Sequence, residues 1–242
     1  MSAAWWERIV SLNKELEGLG QGIKGKVHPS AVIYNPEKVL IEEGAEVEAL
    51  AVIDARQGFI HIGKGTIVKA GANLRGPLLI GPECRIGGEV TYSIFKGYSN
   101  KAHYGFIGHS YVGEWVNLGA GTTNSNLKNN YGPVKVWSEG LPAGRQGKMV
   151  DTGQQFLGCY IDDFVKTGIG TLINTGTVIG FGANVFGGKL TPKYVAPFSW
   201  GENEKYRLDD FLKAAGEMMK RRGLELTRTQ IESIKQNYLL RD

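Results

Sequence analysis

The middle of the chain repeats a short step in which an aliphatic residue is followed by glycine. From Val27 to about Gly188, apolar residues fall in short clusters separated by glycine or polar turns. Ile62 and Ile80 are 18 residues apart, and Ile80 and Ile86 are 6 apart. Six-residue steps are typical of a hexapeptide β-helix, in which three steps form one coil of about 18 residues. Stacked coils bury an aliphatic column, and glycine adopts the corner conformations.

The amino-acid composition agrees with a β-helix and argues against a collagen-like or a nucleic-acid-binding protein. Glycine is abundant, 35 of 242 residues, but it has no collagen period and forms no single tract. A hydrophobic content of 42% is sufficient for a buried core. The net charge of +4 does not indicate a nucleic-acid partner. The two cysteines, Cys84 and Cys159, lack metal-ligand spacing and are predicted to be reduced core thiols.

Targeting signals are not evident. No apolar run approaches the roughly 18 residues that a membrane span requires. Trp5, Trp6 and Glu7 stand where a signal peptide would carry basic residues. We therefore expect a cytoplasmic protein that does not bind a membrane.

The chain divides into three predicted parts: residues 1–26, an N-terminal helix and linker; 27–190, the β-helix; and 191–242, a C-terminal helical tail. The first helix, 3–19, is predicted to cap the core, or else to present Trp5 and Trp6 to a partner. The repeat weakens over 125–160, where Gly140 to Gly147 is predicted to be an exposed insertion loop. The tail is predicted to hold helices over 207–222 and 228–240, with Thr227 capping the second.

The polar residues between Tyr98 and Val136 are not needed by a repeating scaffold. Residues without a structural motive of this kind indicate a functional site. They are Lys101, His103, Asn117, Asn124, Asn126, Asn129, Asn130 and Lys135. Imidazole is the usual general base near pH 7, so His103 is the candidate for proton transfer.

The run SNKAHYGFIG…VGEWVNLGAGT…SN…K resembles the acetyltransferase domain of the bifunctional sugar-1-phosphate nucleotidylyltransferase/acetyltransferases, over roughly residues 70–190. This resemblance implies a left-handed parallel β-helix that is usually a homotrimer, with active sites between subunits. It implies acetyl-CoA as the cosubstrate, no metal, and an amino-sugar phosphate or nucleotide sugar as the acceptor. The predicted function is an acetyl-CoA-dependent acyltransferase of nucleotide-sugar biosynthesis.

The resemblance also assigns roles to single positions. His103 matches the general base, and Asn126 matches an asparagine near the base and the acetyl group. Arg75 and Lys135 match phosphate-binding cations, Asn117 matches a sugar contact, and Lys101 is offered as a further phosphate contact. The expected coenzyme A contacts are Ala120, Thr167 and Gly187. The sequence departs from the family pattern at Thr91, Phe106 and Leu127, where lysine, tyrosine and tyrosine are expected.

Two alternatives remain open. About 26 residues precede the β-helix, so we expect no nucleotidyltransferase domain in this sequence. The chain is then alternatively a non-catalytic subunit that binds a nucleotide sugar, or one that assembles with a separate nucleotidyltransferase through the Trp5-Trp6 helix. A zinc enzyme of the γ-carbonic-anhydrase kind uses the same fold but needs three histidine ligands. His103 and His109 are six residues apart and no third histidine follows them.

Overall fold

The computed structural model describes residues 5–140 and 145–239, and most of them form a parallel β-solenoid. Each coil passes through three short strands, and each strand pairs in parallel with the strand one coil before and one coil after. The solenoid therefore has three faces. A mainly β, parallel β-helix with an N-terminal helix and C-terminal helices is confirmed, and its left-handed sense stays a prediction.

Two of the faces run the length of the solenoid, with nine parallel strands each among the described residues. The first face consists of Gly22–Ile23, Val39–Ile41, Ile60–Ile62, Asn73–Ile80, Glu89–Gly97, Tyr111–Glu114, Tyr160–Ile161, Val178–Ile179 and Tyr194–Val195. The second face consists of Lys26–Val27, Glu46–Val47, Ile67–Val68, Arg85–Ile86, Asn100–Lys101, Asn117–Leu118, Lys166–Thr167, Asn184–Val185 and Ser199–Trp200, and Glu204–Lys205 extends it antiparallel.

The third face has shorter strands. Its earlier strands are hydrogen-bonded to the sheet of the first face, and its later strands form a separate three-stranded sheet. Its separate strands are Val32–Tyr34, Val52–Asp54, Phe106–Gly108, Thr123–Asn124, Leu172–Ile173 and Leu190–Thr191. The long strands Asn73–Ile80 and Glu89–Gly97 bend around a corner, so that each serves both the third face and the first. This face carries Arg75 and leads from Phe106 to His109.

The core is the column that the six-residue repeat predicts. Its aliphatic side chains come from all three faces and are almost fully buried, as in Ile62, Leu74, Ile80, Ile86 and Val112. Corner glycines allow the tight path. At Gly176, where φ is 62°, an added side chain would also collide with the backbone carbonyl of Lys135.

Helix α1, Trp5–Glu17, does not cap the end of the column. It lies along the outside of the first face, where Trp5, Ile9, Leu12 and Leu16 pack on a cluster that includes Tyr160. Trp5 is only 3% exposed, and its ring lies 5.8 Å from that of Tyr160. The capping interpretation is therefore wrong, and the chain itself covers Trp5.

The break in the repeat is a two-stranded excursion from the solenoid. Antiparallel strands Lys135–Gly140 and Arg145–Asp151 form it, and residues 141–144 of the predicted loop lie outside the described residues. The repeat resumes at Tyr160–Ile161, which pairs with Tyr111 and Val112 as though nothing intervened. The predicted insertion is thus a hairpin, broader than the Gly140 to Gly147 loop.

The C-terminal tail folds back onto the solenoid as two helices, α2 (Leu208–Lys220) and α3 (Arg228–Leu239). Phe211, Ala215 and Met219 of α2 pack with Trp115 and Phe164 in a separate aromatic cluster. At the start of α3, the Gln230 N–H donates to Thr227 Oγ1 and the Thr227 N–H donates to Gln230 Oε1, which confirms the predicted cap. A short 3₁₀ helix, Pro36–Lys38, joins two coils.

Cys84 and Cys159 are both buried, and neither forms a disulfide, as the sequence predicts. Burial raises the pKa of each thiol to about 12. Among residues 5–140 and 145–239, no helix has the length and apolar character to span a membrane.

Candidate functional site

A ladder of polar side chains runs along the outside of the second face. Strand register places five of them at equivalent positions of successive coils: Arg85, Asn100, Asn117, Lys166 and Asn184. The next residue of each strand points inward, so the ladder and the core alternate along every strand. Asn100 and Asn117 are neighbours in this ladder, with Nδ2 of Asn100 donating to Oδ1 of Asn117 over 3.5 Å.

Helix α2 covers this ladder without filling the space beneath it. The result is a cavity of about 820 Å³ between the second face and α2. Its lining residues are Arg85, Tyr98, Asn100, Ala102, His103, Trp115, Asn117, Leu118, Gly119, Ala120, Lys166, Ile169, Ala214, Glu217, Met218, Arg221 and Arg222. Functional pockets commonly have this volume and this mixture of apolar walls and a few polar groups.

Three predicted site residues meet in the cavity. His103 lies at the corner that follows the second-face strand Asn100–Lys101, and its side chain is exposed. Asn117 and Ala120 come from the next coil and line the same space. The arrangement follows from the coil length, because Asn100 and Asn117, 17 residues apart, are in register on neighbouring coils. The same step brings Ala120 beside His103.

The cavity is strongly cationic. Arg85, Lys166, Arg221 and Arg222 line it, against the single carboxylate of Glu217 among its described lining residues. Arg222 Nη2 donates to Asn100 Oδ1 over 3.0 Å, which ties α2 to the ladder. Burial, and then the nearby Arg85 guanidinium, lower the pKa of Arg222. Burial also lowers the pKa of Lys166.

Two predicted contacts turn inward instead. Lys101 is 2% exposed and lies inside the column, where its Nζ donates to the His103 carbonyl oxygen over 2.6 Å. Thr167 is also buried, with its Oγ1 2.7 Å from Thr122 Oγ1 and accepting from the Gly119 N–H at 3.0 Å. Neither side chain reaches the cavity, so in this chain the structure does not support them as direct contacts to a phosphate or to coenzyme A.

Four other predicted site residues lie outside the cavity of His103, namely Arg75, Lys135, Gly187 and Asn126. Arg75 is exposed on the third face, with its Nε 3.9 Å from Asp54 Oδ2. Lys135 is exposed on the hairpin. Gly187 lies at an exposed corner, beside residues Phe186 and Gly188 that line a second cavity of about 550 Å³. A single copy of the chain therefore does not gather the whole predicted site.

Asn126 belongs to a separate cluster around His109. Its Nδ2 lies 2.9 Å from His109 Nδ1, and the His109 ring stacks on Tyr92 at 4.8 Å and on Phe156 at 5.6 Å. Burial lowers the pKa of His109 to about 4, so this imidazole is neutral at pH 7. The structure thus pairs Asn126 with His109 rather than with His103.

The sequence analysis missed much of the cavity wall. Arg85 and Lys166 carry part of its charge, while Tyr98 and Trp115 stack at 4.5 Å to form an aromatic wall. The basic cluster Lys220-Arg221-Arg222 is visible in the sequence, where helix-dipole stabilisation and phosphate binding are its two interpretations. Arg85 and Lys166 share the ladder position of Asn117, so coil register was the signal that would identify them. The register is not evident from the sequence, because the hairpin inserts more than a whole coil between Asn117 and Lys166.

Metal ligands do not cluster in the part of the chain that the structure describes. No three histidine, cysteine, aspartate or glutamate side chains come close enough there to share an ion.

Comparison with known proteins places this geometry in context. No family profile matches the chain. The chain is 33% identical over 162 residues to the bifunctional sugar-1-phosphate nucleotidylyltransferase/acetyltransferase of Sulfurisphaera tokodaii. The matched region covers 65% of this chain and 37% of that protein. The predicted resemblance is confirmed. The chain is also 30% identical over 159 residues to the bifunctional protein GlmU of an Exiguobacterium species, covering 63% and 30% of the two chains. It thus spans about a third of the length of these relatives.

Solved structures with a related chain path include the N-acyltransferase AntD of Bacillus cereus in complex with dTDP and 3-hydroxybutyryl-CoA. The match covers 87% of this chain and 96% of that chain, with 13% identity and a TM-score of 0.36. A likeness this weak has no bearing on the chemistry of this chain.

Proposed function

We propose that this protein is an acyl-CoA-dependent acyltransferase that acetylates an amino-sugar phosphate or a nucleotide sugar, with His103 as the general base. The observation that carries the proposal is the meeting of His103, Asn117 and Ala120 in one cavity. The similarity to bifunctional nucleotidylyltransferase/acetyltransferases supports the reaction class.

The chemistry needs a base beside a site for two anionic substrates. An amine attacks a thioester only through a free lone pair, so its proton has to leave as the nitrogen–carbon bond forms. The His103 imidazole accepts that proton, the carbon–sulfur bond breaks, and coenzyme A leaves as the thiol after protonation. The Asn117 amide and backbone N–H groups are the donors available for the oxyanion. Arginine and lysine side chains suit the phosphates of both substrates.

The test is release of free thiol from acetyl-CoA in the presence of a panel of amino-sugar phosphates, with glucosamine-1-phosphate among them. We expect one of them to be acetylated, and His103→Ala to lower kcat by about 10²–10⁴, the usual contribution of a general base. His28→Ala is the matched control, because His28 is exposed in the first coil of the solenoid and forms a local hydrogen bond with Ser30. Turnover that survives His103→Ala would remove the general-base assignment.

We further infer that the working form is a homotrimer packed along the third face. Four apolar side chains are exposed there or at its corner: Tyr104 at 73%, Ile169 at 85%, Leu172 at 44% and Leu190 at 57%. Leu172 and Leu190 are in register on successive coils, so they form part of one stripe. An apolar stripe of this kind is typical of a surface that another subunit covers.

This packing supports the proposed reaction in a second way. Arg75 is an exposed residue of the third face, and Asn126 follows its strand Thr123–Asn124. His103 lies at the corner where this face begins, next to the exposed Tyr104. A neighbouring copy packed on this face would bring its own third-face residues toward His103, and a single chain does not bring Arg75 or Asn126 there.

A further inference from the structure

The cationic cavity beneath α2 contains more positive charge than its own surroundings neutralise. We propose that it binds a nucleoside-diphosphate group, with Arg85, Arg221 and Arg222 contacting the phosphates and the Tyr98-Trp115 wall facing the base. This inference rests on the proposed function, because both an acyl-CoA and a nucleotide-linked sugar carry such a group. It adds a role for helix α2, which lies outside residues 70–190.

The three arginine side chains of the cavity differ in their hydrogen bonding, and this arrangement suits a preformed anion site. Arg85 is fixed, since its Nη1 donates to the carbonyl oxygens of Gly65 and Cys84 at 2.9 Å each. Arg222 uses one nitrogen to hold Asn100. Within the described residues, no hydrogen bond or ion pair engages the guanidinium of Arg221. A guanidinium fork is well matched to phosphate oxygens.

Lys166 adds a further buried cation beside the cavity. Its Nζ is shielded from water and has no hydrogen-bond partner among the described residues, and the centroid of the Phe211 ring lies 6.0 Å away. A buried ammonium without a partner is costly, so such groups normally face an anion or an acceptor. Lys166 lines the same cavity as the three arginines, so its positive charge adds to their attraction for an anion there.

The nearby carboxylates do not cancel this charge. Glu217 is the carboxylate that lines the cavity among the described residues, and its Oε1 lies 3.3 Å from Lys220 Nζ. Glu83 forms an ion pair with Arg85 at 3.5 Å, and its charge also acts on Arg222, so two carboxylates stand against four cationic side chains. The volume of about 820 Å³ is sufficient for a nucleotide, and Tyr98 stacks on Trp115 with the planes only 14° apart. Flat aromatic walls favour stacking of a further ring.

The experiment is isothermal titration calorimetry on the full-length protein with coenzyme A, UDP and inorganic pyrophosphate as separate probes. The variants are Arg221→Gln, Arg222→Gln and the control Lys213→Gln, which removes one exposed positive charge from α2 outside the cavity. Loss of a charge-assisted contact is expected to weaken binding about tenfold or more. We expect that loss for Arg221→Gln and Arg222→Gln, and no change for Lys213→Gln.

Each outcome decides the proposal. Tight binding of coenzyme A alone assigns the cavity to the acyl donor, and tight binding of UDP alone assigns it to a nucleotide-linked acceptor. Absence of binding by both overturns the inference, as does equal binding by wild type and both arginine variants. Arg221→Gln carries the decision if Arg222→Gln melts at lower temperature, because the Arg221 guanidinium holds no other residue among those that the structure describes. Normal probe binding with no acetyl transfer in the thiol assay removes the proposed function and leaves this inference standing, whereas absent binding overturns the inference, so the two failures are separate.

Discussion

The Lys101 ammonium group lies inside the solenoid and donates a 2.6 Å hydrogen bond to the backbone carbonyl oxygen of His103, whose imidazole lies outside. Lys101 is in register with Ile86, so it occupies an inward position of an otherwise aliphatic ladder. The proposed base is therefore attached, through its backbone, to a cation within the core. Burial lowers the pKa of Lys101 to about 8.

We expect Lys101→Met to stabilise the protein at pH 7 by about 1–3 kcal/mol, because methionine fills the space without the cost of a buried charge. In the unfolded chain a lysine keeps its proton up to about pH 10.4, whereas folded Lys101 releases it near pH 8. The unfolded state thus binds more protons between these values, so wild-type stability should rise with pH there. Urea denaturation from pH 7 to 10 should show that rise in wild type and a smaller one in Lys101→Met.

Lys64→Met is the matched control, since Lys64 is exposed on the same solenoid and should leave the pH profile unchanged. If Lys101→Met instead destabilises the protein at pH 7, the bond to the His103 carbonyl outweighs the cost of burial. Loss of acetyl transfer in a stable Lys101→Met variant would then show that the bond positions His103.

His109 should make the protein sensitive to acid. Its pKa is about 4 in the folded state and near 6.5 when unfolded, so between these values the unfolded chain binds more protons. Stability should therefore fall as the pH drops from about 6.5 to 4. We expect His109→Asn to reduce this loss by about 2 kcal/mol at pH 4.5, because asparagine does not titrate there. Asparagine also tolerates the positive φ of 51° at this position.

The measurement is the free energy of unfolding at pH 7 and pH 4.5 for wild type, His109→Asn and His28→Asn. His28 is exposed, so its replacement should leave the acid-induced difference as it is. An equal difference in wild type and His109→Asn would show that the buried imidazole does not control acid stability.

The two adjacent tryptophans of α1 should differ sharply in their contribution to stability. Trp5 is 3% exposed and packs on Tyr160, whereas Trp6 is partly buried at the edge of the same cluster. We expect Trp5→Ala to cost about 3–5 kcal/mol, as for other buried aromatic residues, and Trp6→Ala to cost clearly less. Urea denaturation of both variants compares them directly, and equal costs would contradict the packing of α1 on the first face.

A charge on the apolar stripe should disrupt the proposed trimer. Leu190 is 57% exposed, so Leu190→Glu should fold normally but oppose burial against a second copy, since burying an unpaired charge is costly. Analytical ultracentrifugation should show a trimer for wild type and a monomer for Leu190→Glu. Val10→Glu is the control, because Val10 is 59% exposed on α1, which packs on the first face and does not belong to the apolar stripe. A monomeric wild type would contradict the assembly itself.

The sequence determined the scaffold because the scaffold is local. An aliphatic–glycine step of six residues specifies a short strand and a corner, and its repetition leaves stacked coils as the way to bury the aliphatic side chains. The same spacing places Asn117 and Ala120 beside His103 on the neighbouring coil. The helices at both ends followed from apolar periodicity, and the cap at Thr227 followed from local hydrogen bonding.

The tertiary structure alone decided where the helices pack and which side chains face the cavity. Helix α1 lies along a face instead of an end, and α2 closes a cavity over the ladder that Arg85 and Lys166 share with Asn117. Spacing along the chain does not reveal that ladder, because the hairpin interrupts the count while the hydrogen-bond register continues across it. The sequence also does not reveal that the Lys101 side chain points into the column, because lysine is normally a surface residue. Side chains alternate along a strand, and Lys101 follows the outward-facing Asn100 by one position.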